Sequence, residues 1–431
     1  MASPRLIKLA YGCFTTVSAF GFVEMVAHRM YGPPPESDTV VRTAACEIRE
    51  EGGRSWMECA RTPGEPLFTA PTAKTKPRVV VLGGSSVRDP FKSDPNDNFP
   101  EHLQARLPEA EVLNLGKAGM SMAGVAYIAS QIAPLQADLV VIYEGHNDYS
   151  QTVFTGPIRG VHLWTLPVIR VLSESWVYRW LSQDLKSVGA AGHRVTSTPP
   201  AAAPEICRAS GQGPAAMLAT EDAGAITRRD AVTERFRNDL REAVRAAAGS
   251  AAGSATAAGK VAAGARSGAA SPTAGLPVIV STLLRNFDNP PMAEVAPAGS
   301  PCEAALACLS NASLTDHETL ATYSATMCGE GALTWWHRAH AAFDRGDIAA
   351  ATDAFHRSLA LDPAPLRAPW EADQVVRDVA SDEGATLLDL EAIVGPLPPG
   401  KLFHDTLHPS TEGAEVIATA LEPVVRGKLG L

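Results

Sequence analysis

The chain has 431 residues, 45% of them apolar, and a formal net charge of −10 from 47 acidic against 37 basic side chains. That length accommodates one large domain with insertions or two domains, and the apolar fraction is that of a globular protein with a sizeable core. No basic stripe interrupts the acidic balance, which excludes a nucleic-acid partner held through phosphate contacts.

Residues 9–27, LAYGCFTTVSAFGFVEMVA, form an apolar run whose one charge is Glu24, preceded by Arg5 and Lys8. The run is just long enough to span a bilayer, and the leading positive charges favour a cytoplasmic N-terminus. Residues 1–30 are therefore read as an uncleaved signal anchor. A cleaved signal peptide ending at Val17-Ser18-Ala19 and a buried helix are the competing readings. Residues 31–76 read as a linker segment, from YGPPPESDT to PTAKTKPR. Six cysteines follow the apolar run: Cys46, Cys59, Cys207, Cys302, Cys308 and Cys328. An even number downstream of an export signal points to disulfides, with buried free thiols as the alternative. Cys46 and Cys59 suit a local loop. There is no C-x-x-C pair, so no structural zinc site is expected.

From residue 77 to 431 the pattern becomes α/β. A strand is predicted at 78–82, and the stretch VVVLGGSSVRDP shows it stopping at Gly83-Gly84 and two serines. A helix near 99–107 leads to a strand at 111–115 that ends in NLGKAGMS. A helix near 122–135 then leads to a strand at 138–143 that runs into YEGHNDY. After a helix at 228–247, residues 248–275 are Ala/Gly/Ser-rich and read as a disordered excursion. A strand at 277–282 continues into TLLRNF. Residues 331–364 carry the pattern of a helical hairpin, with Trp335, Ala351, Phe355 and Pro363 on the spacing of a tetratricopeptide repeat and Arg338 and Ala342 departing from it. One such repeat cannot build a solenoid, so it reads as an insert packed on the core rather than a peptide-binding array. A helix at 368–382, a strand at 385–390, the stretch HDTLHPS at 404–410 and a last helix at 411–428 complete the chain. Strands that are continuous apolar runs separated by helices indicate a parallel sheet covered on both faces. Chemistry in such sheets gathers at the carboxyl ends of the strands.

Four stretches sit at or just after strand ends: GGSS, NLGKAGMS, YEGHNDY and HDTLHPS. Alone, GGSS reads as a strand-to-helix turn. It lacks the lysine of a P-loop, the spacing of a dinucleotide fingerprint and the final glycine of G-x-S-x-G, where Val87 stands. Asn147 alone reads as a helix cap. His146, His404 and His408 lack a carboxylate–histidine spacing on a helix, so no metal is expected, and no cofactor motif is present.

Together and in this order the four stretches resemble the SGNH (GDSL-type) hydrolases, over residues 77–150, 277–290 and about the last 70. The resemblance implies a three-layer α/β/α fold with a five-stranded parallel sheet, flavodoxin-like, here with a helical insert and an N-terminal transmembrane segment. It implies Ser85 as nucleophile, with Asp405 and His408 completing a catalytic triad. It implies an oxyanion hole from the N–H groups of Ser85 and Gly119 and the side-chain amide of Asn147. Gly84 departs from the family's commonest form, which has Asp there; a GGS start and a GHN third block are familiar among its larger membrane-anchored bacterial members. TLLRNF, residues 282–287, is similar to that subgroup's fourth strand and following loop. Ser86 is expected to help begin the next helix. For Arg367 the resemblance suggests a substrate-side role, while the composition of PLRAPWEAD favours solvation at the surface.

The chemistry these residues can perform follows from their types. A serine hydroxyl needs a base to take its proton, histidine supplies one, and a carboxylate fixes the imidazole tautomer and stabilises the imidazolium. Donors facing the developing oxyanion lower the barrier. The expected function is hydrolysis of an ester through an acyl-serine intermediate, in an exported, membrane-anchored protein whose catalytic domain lies outside the cytoplasm. O-acyl groups of envelope glycans are the expected substrates. An O-acyltransferase using the same triad, and a catalytically idle envelope protein that binds a glycan or a partner, are the alternatives.

Overall fold

The computed structural model describes residues 45–62, 65–89, 92, 94, 96–154, 192–194, 218–220, 229–258, 275–311, 314–363 and 365–431. The apolar run 9–27 and most of the Ala/Gly/Ser stretch lie outside them. Among the described residues, no helix is long and apolar enough to cross a membrane. The chain divides into two compact units, Met1–Thr43 with Phe154–Ala190 and Ala44–Val153 with Ala191–Leu431; the second carries the elements below.

Residues 45–71, expected as part of a linker, instead form a three-stranded antiparallel sheet of β1 (Ala45–Glu51), β2 (Arg54–Thr62) and β3 (Glu65–Pro71). Gly52 and Gly53 take φ of 59° and 76° in the two-residue turn between β1 and β2, a backbone that matches the twist of a hairpin. Cys46 faces Cys59 across this pair and the two form a disulfide. A second disulfide joins Cys302 to Cys328, and Cys308 is also disulfide-bonded.

The central sheet contains all five expected strands: β4 (Arg78–Gly83), β5 (Glu111–Asn114), β6 (Leu139–Tyr143), then, after the short strands β7 (Gly192–Arg194) and β8 (Leu218–Thr220), β9 (Val278–Ser281) and, after β10 (Ala293–Val295), β11 (Thr386–Leu388). Every pairing in it is parallel, in the order β11-β9-β6-β4-β5. Numbered by chain position within the sheet, this is 2-1-3-4-5, the flavodoxin-like order. β4 and β6 are buried at every position, as their unbroken β-branched and apolar sequences require. Two helix groups pack around the sheet: Phe99–Arg106 with Thr411–Leu429, and Met122–Gln131 with Arg229–Ala258 and Glu371–Glu383. The Arg229–Ala258 helix runs eleven residues into the Ala/Gly/Ser stretch, where frequent alanine favours helix. β7, β8 and β10 make a small separate sheet.

The expected hairpin is present as the helices Ala332–Asp344 and Ile348–Leu361 packed on each other, with His317–Cys328 alongside. It has its own apolar core, including Leu333, Trp336, Phe355 and Leu359, and Phe287 from the loop after β9 enters that core. The guanidinium groups of Arg338 and Arg357 both lie over the Trp335 ring, 4.6 and 4.5 Å from its centre.

The Cys46–Cys59 bridge closes a short loop in an edge sheet with limited apolar burial. Replacing both cysteines by serine is expected to lower the unfolding free energy by about 3 kcal/mol, measured by denaturation without reductant. Unchanged stability would show that the β1–β3 sheet holds without the bridge.

Candidate active site

Parallel strands bring their carboxyl ends to one edge of the sheet, and GGSS, NLGKAGMS and YEGHNDY leave that edge from β4, β5 and β6. Crowding dictates the two glycines. A Cβ on Gly83 would lie 2.1 Å from the Tyr143 carbonyl oxygen, and one on Gly84 would lie 2.1 Å from a Glu144 carboxyl oxygen and 2.3 Å from the Asn147 amide nitrogen. Beyond them the chain turns, with the N–H groups of Val87 and Arg88 both donating to the Gly84 carbonyl at 3.2 Å. Ser86 stands in this turn and is buried; the next helix begins only at Phe99, so Ser86 caps no helix. That expectation is corrected.

Ser85 stands beside it in the same turn. Its Oγ is 2.7 Å from His408 Nε2, and His408 Nδ1 is 2.6 Å from Asp405 Oδ2. The other oxygen of Asp405 accepts the backbone N–H groups of Leu407 and His408 at 2.9 and 2.8 Å. Burial pushes this carboxyl upward, but the His408 imidazole and the two N–H donors outweigh it and hold the Asp405 pKa down at about 2. The loop that presents both residues is pinched at its base: Phe403 bridges Pro409, and the Ser410 N–H donates to Leu402 O at 2.9 Å. Ser410 then caps the last helix by accepting the Gly413 N–H at 3.2 Å.

Asn147 opens the helix His146–Phe154, and its Nδ2 donates to Met120 O at 3.0 Å. The amide therefore lies between Gly84, next to Ser85, and Met120, next to Gly119. Gly119 has φ 70° in the loop after β5. The structure thus brings together the first, second and third stretches around Asn147, and the first and fourth around His408. His146 is buried, with Nδ1 accepting the Ala368 N–H at 3.1 Å. Ligand atoms of His404, Asp405 and His408 lie within 4.8 Å of one another. Two of these three residues are already engaged with each other and with Ser85.

Glu144 and Asp373 were not singled out by sequence. Glu144 fills the space over Gly84 and accepts the Asn147 N–H at 3.1 Å. Arg367, expected at the surface, is buried and donates to the carbonyls of Asn286, Asn289 and Pro290 at 2.5, 2.9 and 3.0 Å. Its role is to hold the loop after β9. Asn286 in turn donates to the Asp405 carbonyl at 2.7 Å. Arg285 and Asp373 form a buried ion pair at 2.5 Å, and Asp373 also accepts the Leu283 N–H at 2.8 Å. The signal available for Glu144 was an acidic residue placed directly after the most apolar strand.

No family model matches the chain, and no curated protein matches it. Among solved structures it is similar to the lipase/acylhydrolase from Enterococcus faecalis, at 11% identity and TM-score 0.33, covering 82% of this chain and 96% of that one. It is also similar to an extracellular lipase from Streptomyces rimosus, at 12% identity and TM-score 0.33, covering 82% and 99%. A member of the lipolytic G-D-S-L family from Veillonella parvula is similar at 11% identity and TM-score 0.30, covering 80% and 97%.

Burial, with the charge of Asp148 and against the N–H groups of Asn147, Gly145 and Gly84, raises the Glu144 pKa from 4.5 to about 8. Between those values the folded chain holds a proton that the unfolded chain has released. The stability Glu144 contributes is therefore complete below the unfolded value and is lost as pH rises through the folded one. Relative to Glu144→Gln, the wild type should lose up to ~1.4 kcal/mol per pH unit across that window, read by denaturation at a series of pH values. A flat difference would show that Glu144 is ionised in the folded protein.

Proposed function

We propose that the chain is a serine esterase of the SGNH type that removes O-acyl groups from cell-envelope glycans, exported and held at the membrane by residues 9–27. The observation that carries the enzymatic part is the relay Ser85–His408–Asp405, with contacts of 2.7 and 2.6 Å. A module that only binds has no need of a hydroxyl, a base and an orienting carboxylate in line. Support for export comes from the apolar run and the leading Arg5 and Lys8.

In this reading His408 Nε2 takes the proton of Ser85 as Oγ attacks the ester carbonyl, and Asp405 stabilises the imidazolium that forms. The N–H groups of Ser85 and Gly119 and the Asn147 amide receive the oxyanion. An amide nitrogen carries two hydrogens, so Asn147 Nδ2 can keep Met120 O with one and offer the other. His408 then returns the proton to the leaving alcohol oxygen, leaving an acyl-serine. Water, deprotonated by His408, releases the acid and restores Ser85. If a sugar hydroxyl takes the place of water, the same residues carry out acyl transfer.

Incubation of the protein with short-chain aryl esters, then with acetylated glycans, separates the outcomes: free acid supports the esterase, transferred acyl the transferase, and no turnover the idle binder. Ser85→Ala should abolish labelling by a fluorophosphonate probe and reduce turnover to what the oxyanion donors alone provide. Ser86→Ala should still label. Labelling that survives Ser85→Ala and vanishes in Ser86→Ala overturns the assignment of the nucleophile.

Asp405→Asn should lower kcat by about 10⁴-fold, because the amide favours the wrong imidazole tautomer. A variant that is folded by circular dichroism and retains full activity would remove Asp405 from the mechanism.

A further inference from the structure

The nucleophile turn and the oxyanion loop meet on a side chain that the mechanism above does not use. Residues 84–88 close on themselves, with the Val87 and Arg88 N–H groups both donating to Gly84 O at 3.2 Å, and Ser85 stands in that turn. The Val87 carbonyl accepts Asn114 Nδ2 at 3.2 Å. Asn114 is the last residue of β5, where the loop carrying Gly119 begins, and its Oδ1 accepts the Gly116 N–H of that loop at 2.9 Å. The second hydrogen of the amide nitrogen is shared by the two carboxyl oxygens of Glu101, on the helix Phe99–Arg106, at 2.9 and 3.2 Å. One half-buried side chain thus ties three segments together.

This placement has a chemical consequence. Ser85 Oγ must attack a carbonyl carbon while the Gly119 N–H meets the oxygen on that same carbon, so nucleophile and donor have to be held at a fixed spacing. That spacing depends on how the Ser85 turn is locked to the loop. The Lys117 N–H donates to Gly83 O at 2.9 Å, just before the serine, and the Asn114 amide holds Val87 O just after it. Between them a Cβ on Gly116 would lie 2.7 Å from Val87 Cγ1, so loop and turn are in direct contact. The bond at Gly83 is backbone to backbone and forms with any residue that has an N–H. The bond at Val87 requires a side chain that donates to one carbonyl and accepts a neighbouring N–H, which an amide does and a carboxylate or a methyl group does not.

We infer that Asn114 is a positioning residue for the reaction, its amide holding the Ser85 turn through Val87 O and the Gly119 loop through the Gly116 N–H at the spacing the tetrahedral intermediate needs. This rests on the esterase reading and deepens it: Asn114 acts through Ser85 and Gly119 rather than on the substrate.

The test separates this tie from the one to Glu101. Asn114→Asp combined with Glu101→Gln keeps the acceptor for Gly116 and, through the glutamine amide, the bond to the helix; the donor to Val87 O is lost. The burst of 4-nitrophenol from 4-nitrophenyl acetate reads acylation of Ser85 apart from later steps. Relative to Glu101→Gln alone, the maximal burst rate of the double variant should fall about 10- to 100-fold, the effect of a displacement of up to an ångström, with the half-saturating ester concentration unchanged. Asn114→Ala should show the same split, and is an independent reading if the double variant fails to fold. A burst rate equal to that of Glu101→Gln overturns the inference and leaves Asn114 a tie between β5 and the helix. A loss carried by the half-saturating concentration overturns it equally, since the defect would then lie in binding. Failure of the esterase reading is distinguishable: the wild type releases no burst and Ser85 takes no fluorophosphonate label.

Discussion

The crowding at Gly83-Gly84, against the Tyr143 backbone and the Glu144 and Asn147 side chains, is the constraint on which the site depends. β4 lies between β5 and β6, and its end runs so close to Tyr143, Glu144 and Asn147 that no side chain fits at either glycine. Because the connections from the neighbouring strands β4 and β6 leave towards opposite sides of the sheet, the loops above them diverge and leave a crevice. The glycines let the chain turn into that crevice without rising out of it. Ser85 is consequently set at the floor of the sheet edge, where a loop from the far end of the chain can bring His408 to it.

The loops around the crevice are irregular, so their backbone groups have no ladder partners and must be satisfied otherwise. The structure answers this with buried charged or ionisable side chains that bond to backbone. Glu144 accepts the Asn147 N–H, Asp148 the Met122 N–H, and Asp373 the Leu283 N–H. Arg367 donates to three carbonyls of the loop after β9. Each of these groups is unfavourable to bury alone, and each is retained where a loop next to the site would otherwise leave backbone polar groups unpaired. Burial also keeps Glu144 largely protonated at neutral pH, which spares the oxyanion side of the site a neighbouring negative charge.

What the sequence revealed follows the same division. The five core strands were legible because strands buried on both faces read as continuous apolar runs, and the four stretches were legible because they fall where those runs stop. The β1–β3 sheet was missed: its alternation, ACEIREE against RSWMECART, is half polar, and it followed a proline-rich start that suggested a linker. Arg367 was illegible for a different reason. A charged residue is solvated by default, and its burial depends on carbonyls contributed from distant parts of the chain. Ser86 was misplaced because a serine after a strand-ending glycine pair resembles a helix cap, whereas the chain here makes a turn and runs on to Phe99 before any helix begins.

The helical insert meets this arrangement at the segment around Phe287. The carbonyl of Phe287 accepts Trp336 Nε1 at 3.1 Å and faces His340 Nε2 at 3.2 Å, while its ring stacks on His340 and meets the edge of Phe355. The residue before it, Asn286, donates to the carbonyl of Asp405, and its N–H reaches Thr406 O at 3.3 Å. Arg367, just after the insert, clamps the same segment from the other side. One residue therefore belongs to the core of the insert and its neighbour to the support of the loop that carries the base. Close-packed interiors transmit displacement rather than absorb it, so the packing of the insert helps set where the Asp405–His408 loop can stand. The insert is built onto the support of the catalytic base, which gives a helical hairpin too short to form a binding array a structural reason to be where it is.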